Sequence, residues 1–280
     1  MRLWDAPSGE ILHMLQPADQ GCIGGPEAVF SPDGNWLALA SGTAQAGGVT
    51  LWDYRSGEAI TTLSLERGFV HSLAFSPLGN LLAAGTAQTD TSGDVTGSQA
   101  VVWDVTSGEV VHTFPHDNWV TGLAFSPDGR ALATGTAALS TAQVVSGGLI
   151  NLWDLESEQL VYATQDTGDH VLSLAFSPDG TLLASGSQSG NLVLWEAGSG
   201  NRLANLGSHN ESVVDLAFSP DGRLLAAAIL TGGSSTVEIW DVASGELLAR
   251  LEGESLAFSP DGTALASIVF NSVRLWGVAP

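Results

Sequence analysis

The sequence predicts an all-β fold built from repeated four-stranded meanders, and three recurrences carry that prediction. Ser-Pro-Asp-Gly stands at 31–34, 126–129, 177–180, 219–222 and 259–262, with Ser-Pro-Leu-Gly at 76–79. A Leu-Trp-Asp triplet or a close variant recurs at Trp4, Trp52, Trp103, Trp153, Trp195, Trp240 and Trp276. Asp and then Ser-Gly-Glu usually follow that tryptophan. A period of this length sets the fold class ahead of local propensity, because each repeat is one supersecondary unit that buries its faces against its neighbours.

Taken in chain order, the first segments are Arg2–Trp4 and Ile11–Leu15, which read as strands three and four of a unit. Six units follow. In each, strand one ends in Leu-Ala-Phe, as in Val120–Phe125, and strand two is Leu-Leu-Ala-Ser-like, as in Leu182–Ser185. Strand three ends at the tryptophan, and strand four follows Ser-Gly-Glu, as in Val110–Phe114. Short strands at even spacing with turn residues between them indicate an antiparallel meander. Ser-Pro-Asp-Gly suits the hairpin between strands one and two: Pro presets φ, Asp bonds the turn backbone, and Gly takes the left-handed position. The sixth unit, Ser255–Trp276, stops before a fourth strand, so the expected total is twenty-five strands.

Leu-Ala-Phe-Ser-Pro-Asp-Gly, Leu-Ala-Ser-Gly, Leu-Trp-Asp and Ser-Gly-Glu together resemble the WD40 repeat family, and the resemblance runs through essentially the whole chain. It implies a β-propeller of radially arranged four-stranded blades over residues 1–280, a single domain. A seven-bladed type, incomplete at one fourth strand and one first-and-second pair, is favoured; a closed six-bladed ring that uses Ile11–Leu15 as the missing strand is the alternative. Met1-Arg2-Leu3-Trp4 aligns with Val273-Arg274-Leu275-Trp276. The start therefore falls where the repeat wants Val, and the chain is expected to be a segment of a longer repeat array.

Composition narrows the chemistry. The 280 residues contain 30 Asp and Glu against 8 Lys and Arg, a net charge of −22, and all eight bases are Arg. Without lysine, a P-loop, a kinase-type phosphate lysine and a Schiff base are all excluded. So few cations cannot neutralise a row of phosphates, which makes nucleic acid and anionic membranes poor partners. Fifteen of the 30 acids lie in the repeat turns, so half the acidity is turn chemistry and needs no anionic function to explain it. Cys22 has no second cysteine to pair with, and no segment is apolar enough for a spanning helix or a signal peptide. A cytoplasmic location is the expectation.

Functional residues are sought where the repeat varies. The interval from the turn Gly to the next Trp is 14 to 18 residues in four units but 24 for Gly79–Trp103 and for Gly129–Trp153. The extra residues, within Ala87–Ser98 and Ala137–Gly147, should emerge at the end opposite the uniform turns, where binding concentrates on a rigid scaffold. Asp117, Asn118 and Trp119 lie between them in sequence, Phe69 and His71 occupy similar ground one unit earlier, and Asp169 and Glu211 belong to the same end. These seven residues are the candidate partner contacts, with aromatic anchors leading; simple packing under the loops is the alternative for Phe69 and Trp119. The family's buried His–Ser/Thr–Trp–Asp network is matched at His116 and His209, but the turn Asp is missing in Ser187-Gln188-Ser189-Gly190-Asn191. The His112/His116 spacing and the Asp90/Asp94 loop fit no metal site, and no nucleophile elbow occurs. The expected function is a non-catalytic protein-interaction scaffold without cofactor, serving another protein or another domain of its own chain. A channel-lining enzyme or small-ligand or calcium binder is the alternative, and incomplete blades are a possible route to self-association.

Overall fold

A computed structural model describes residues 2–5, 8–15, 28–43, 46–65, 68–89, 95–137, 148–164, 169–230, 235–269 and 272–278. Cys22, Asp90, Asp94 and most of the Ala137–Gly147 insertion lie outside them. The described residues form twenty-five strands and no helix. Two compact units divide the chain, one carrying the described residues up to Phe125 and the other those from Ser126 on.

The first unit opens with β1 (Arg2–Trp4) and β2 (Ile11–Met14), a two-stranded antiparallel pair. Two four-stranded sheets follow in simple sequential order. They are β3 (Ala28–Phe30), β4 (Trp36–Thr43), β5 (Ala46–Asp53) and β6 (Glu58–Ser64), then β7 (Phe69–Phe75), β8 (Leu81–Thr89), β9 (Val95–Asp104) and β10 (Val110–His116). The last strand of this unit, β11 (Trp119–Phe125), packs against β7 and β8. Leu3 and Leu15 of the opening pair close over Leu37, and Leu51 and Leu63 of the next sheet meet Val101 and Trp103 of the one after. Each sheet thus buries one face on its successor, as the repeat requires.

In the second unit, β12 (Ala131–Ala137), β13 (Ile150–Asp154) and β14 (Gln159–Thr164) pair in order. Two complete sheets come next: β15 (Val171–Phe176), β16 (Leu182–Ser187), β17 (Asn191–Glu196) and β18 (Arg202–Ser208), then β19 (Ser212–Phe218), β20 (Leu224–Leu230), β21 (Thr236–Asp241) and β22 (Leu247–Glu252). The final sheet has only β23 (Leu256–Phe258), β24 (Ala264–Val269) and β25 (Ser272–Gly277). Between it and the preceding sheet lies a groove of about 920 Å³ whose lining includes Leu248, Leu251, Phe258, Trp276 and Val278.

Turn chemistry is as the sequence predicts. In Ser177-Pro178-Asp179-Gly180, Ser177 Oγ donates to Asp179 Oδ1 at 2.6 Å, the Gly180 amide donates to the Ser177 carbonyl, and Gly180 takes φ 72°. The same pattern recurs at Asp33, Asp128, Asp221 and Asp261. Where Leu78 replaces the aspartate, Asn80 accepts from Ser76 Oγ at 3.0 Å instead. These bonds stabilise the ionised carboxylates, and Asp261 falls to about 2, first through Ser259 and then through Thr263. On strand two a glycine is needed for a different reason. A Cβ on Gly186 would stand 2.4 Å from Ser173 Oγ and 2.6 Å from a Val213 methyl, so only glycine admits the next inner strand.

One expectation is revised. The extra residues of the Gly79–Trp103 repeat are largely a longer hairpin rather than a loop: β8 and β9 stay paired through Ala87–Ser98 and Gln88–Gly97 to Thr89–Val95. Alternation of small and polar residues there continues the ladder outward.

Candidate functional site

In the first unit the candidate residues gather where inner strands begin. Phe69 starts β7 and Trp119 starts β11, at the end opposite the Ser-Pro-Asp-Gly turns. The His71 and Trp119 rings stack with centroids 4.7 Å apart and planes at 21°, and Phe69 meets His71 edge-on at 6.5 Å. Phe69 is buried, so it supports the stack from beneath, while Trp119 and His71 are partly exposed. Burial pulls the His71 imidazole below its usual value and takes His116 down to about 4, a shift the neighbouring Asp117 opposes. Both rings are therefore neutral at pH 7, and His71 offers Trp119 an uncharged face. Trp119 Nε1 and His71 Nε2 are buried and make no hydrogen bond to a protein group among the described residues. Asp117 is exposed and Asn118 half-buried, so this pair forms the reachable rim above an aromatic floor.

In the second unit the two acids separate in role. Burial pushes the Asp169 carboxyl up, but hydrogen bonds from Ser189 and His170 outweigh it and hold the group below its usual range. Its Oδ2 accepts the Ser189 amide and its carbonyl accepts the Gly148 amide at 2.8 Å, so Asp169 ties the entrance of β15 to the β16–β17 turn. Glu211, just before β19, is exposed.

The tryptophan network is present as a partial version of what the resemblance implies. Trp153 Nε1 donates to Thr134 Oγ1 at 3.2 Å, Trp195 Nε1 to Ser185 Oγ at 2.8 Å, and Trp276 Nε1 to Ser267 Oγ at 3.0 Å. The acceptor always stands two residues beyond the tryptophan's cross-strand partner on strand two. That place is Leu39 opposite Trp52 and Ala227 opposite Trp240, and both of those indole N–H groups are buried without a protein acceptor.

The sequence reading marks His209 but assembles neither of two polar clusters that the structure shows. Glu238 on β21 is buried, with Arg250 Nε at 2.9 Å and His209 Nε2 at 3.3 Å. The signal was available: Glu238 and Arg250 are direct partners in the β21–β22 register, an opposite-charge cross-strand pair. Asp215 accepts from Ser255 Oγ at 2.8 Å and from the amides of Leu256 at 3.0 Å and Leu216 at 2.9 Å, which anchors the short β23; burial raises its carboxyl all the same. No group of three or more His, Cys, Asp or Glu side chains converges as a metal site among the described residues. His112 and His116 lie four residues apart on one strand, about 13 Å, too far to share an ion. No helix among them is long and apolar enough to cross a membrane.

Comparison with known proteins agrees with this architecture. The family described as "WD domain, G-beta repeat" matches residues 108–154, 159–196 and 200–241. Pre-mRNA-processing factor 19 of Schizosaccharomyces pombe (strain 972 / ATCC 24843) is 31% identical over 82 residues, which is 29% of this chain and 16% of that protein's length. Recurrent turns, strand-three tryptophans, four-stranded antiparallel sheets and three matched repeats lead to one conclusion: residues 108–241 are built of WD40 repeats, and the remaining units carry the same turns and tryptophans.

Proposed function

We propose that the chain is a non-catalytic scaffold that captures a protein partner at the end where its inner strands begin. Departure from the repeat at that end carries the reading. The opposite end repeats one turn chemistry at Asp33, Asp128, Asp179, Asp221 and Asp261, whereas Asp117, Asn118 and Trp119 recur in no other unit. An exposed acid and a half-buried amide over a partly exposed Trp–His stack give a rim and an anchor, the composition expected of an interaction hot spot. Glu211 is the corresponding accessible contact of the second unit, with Phe69 and Asp169 as supports. Net charge of −22 disfavours nucleic acid and anionic lipid as ligands. The seven-bladed expectation gains no support, and the six-bladed alternative fits the six units that each carry their own Ser-Pro-Asp-Gly or Ser-Pro-Leu-Gly hairpin.

The test compares protein partners captured by the wild type, by Trp119→Ala with Asp117→Ala, and by Leu78→Ala at the turn end. Specific partners should be lost from the first variant and kept by the second. Identical partner profiles for all three would refute this face.

A further inference from the structure

The Trp119 face has a floor and a rim of different chemistry, and both fall within the first unit. Trp119 and His71 supply the floor, their rings stacked with centroids 4.7 Å apart and each partly exposed. Phe69, buried, meets His71 edge-on and supports it. Burial keeps the His71 imidazole neutral at pH 7, so the stack offers aromatic faces and no positive charge. The rim is acidic, because Asp117 stands exposed two residues before Trp119.

Charge at this end is one-sided. In sequence, the connections that join strands here in the first unit, 16–27, 66–67, 90–94 and 117–118, hold Asp19, Glu27, Glu66, Asp90, Asp94 and Asp117 against Arg67 alone. Acids at the opposite end of the same unit are occupied by their own turns. Asp33 accepts from Ser31 Oγ and the Asn35 amide, Asp53 from the amides of Arg55 and Ser56, and Asp104 from those of Thr106 and Ser107. Asp117 has no such donor among the described residues, so its carboxylate is left for a group from outside.

We propose that the partner captured at this face presents an arginine whose guanidinium lies on the exposed part of Trp119 and forks onto Asp117, an inference that rests on the scaffold reading and names the side chain the scaffold selects. Arginine fits better than lysine: its planar cation stacks on an aromatic ring and pairs with a carboxylate through two N–H donors, whereas an ammonium is a strongly hydrated point charge. An acidic segment is repelled by the net charge of −22, and a purely apolar one would desolvate Asp117 without a partner. The same net charge draws a basic segment in, and salt weakens that attraction.

The test is selection of random peptides displayed on phage against the immobilised full chain, counter-selected on Asp117→Lys. Selected peptides should be enriched in arginine, and one of them, synthesised with a fluorophore, is titrated by fluorescence anisotropy. Asp117→Asn and Trp119→Ala should each weaken binding by about tenfold or more, as should citrulline in place of the peptide's arginine, with lysine intermediate. Binding should also weaken as salt rises. Circular dichroism checks that each variant keeps its strands; Trp119→Phe replaces Trp119→Ala if that variant misfolds, and should bind more weakly than wild type. Peptides that need Trp119 but carry no arginine and bind Asp117→Asn as well as wild type would overturn the arginine assignment while leaving the face a protein-binding site. A lysine peptide bound as tightly as the arginine one would overturn it too. A selection that enriches no peptide, or only peptides indifferent to both substitutions, would overturn the arginine assignment and the face together.

Discussion

The complete sheet β15–β18 and the three-stranded sheet β23–β25 belong to one unit and share one repeat, yet their cores differ. Both have the Ser-Pro-Asp-Gly hairpin with the same Ser-to-Asp bond of 2.6 Å, and both direct the tryptophan N–H to a strand-two serine. Trp195 is nonetheless fully buried, whereas Trp276 is only half-buried and the strand that carries it is exposed along almost its whole length. Local sequence therefore builds the hairpins and the hydrogen bonds, and the neighbouring sheet supplies the burial. A blade is stable because it is sandwiched.

The sharpest break of that comparison is truncation of the two tryptophans. Trp195→Ala should destabilise the protein by about 3–5 kcal/mol, the range for a large aromatic removed from a packed core. Trp276→Ala should cost half of that or less, since much of its surface already faces water. Urea unfolding measures both, and equal losses would show that burial by the neighbour is not what separates the sheets.

Next comes the indole acceptor. Ser185→Ala leaves Trp195 Nε1 buried without its 2.8 Å partner and should cost about 1–2 kcal/mol. The converse change tests the register rule: Ala227→Ser places a hydroxyl where Trp240 lacks one and should add up to about 1 kcal/mol. No gain in urea midpoint for Ala227→Ser would mean that the new hydroxyl turns away from the indole.

These substitutions also mark what the sequence discloses. Turn residues at fixed offsets give the strand count and the missing fourth strand, because Pro, Asp and Gly act within four residues of chain. Strand-two acceptors are legible once the cross-strand register is known, as Ser185 and Thr134 show. The candidate site is only half legible. Trp119 stands out as an off-pattern aromatic, but its stacking on His71 depends on the spacing of two inner strands, which no local pattern encodes. Asp169 reads like Glu211 in sequence; only the nearness of the Ser189 amide distinguishes a tied carboxylate from a free one. Glu238 looks misplaced on a buried strand until Arg250 and His209 are seen around it.

The smallest difference between the two sheets should appear in acid, because the turn is the part they share. Asp179 and Asp261 both have carboxyls held below the usual 3.8 by serine and backbone donors, Asp261 at about 2. For Asp261 the depressed folded value means that the folded state binds fewer protons than the unfolded chain between about 2 and 3.8, and Asp179 acts in the same sense below 3.8. Stability from these turns is thus complete above 3.8 and is lost as pH falls toward 2. Asp215 works in the opposite sense: its raised carboxyl makes the folded state bind more protons just above 3.8, so its ionisation removes stability as pH rises through that window. Urea midpoints between pH 5 and pH 2 should fall on acidification. Asp179→Asn and Asp261→Asn should flatten that fall by similar amounts despite the unequal burial of their sheets, whereas Asp215→Asn should steepen it. A marked difference between the two turn variants would mean that the incomplete sheet loosens its own hairpin, and the turn would then depend on the sandwich as the tryptophan does.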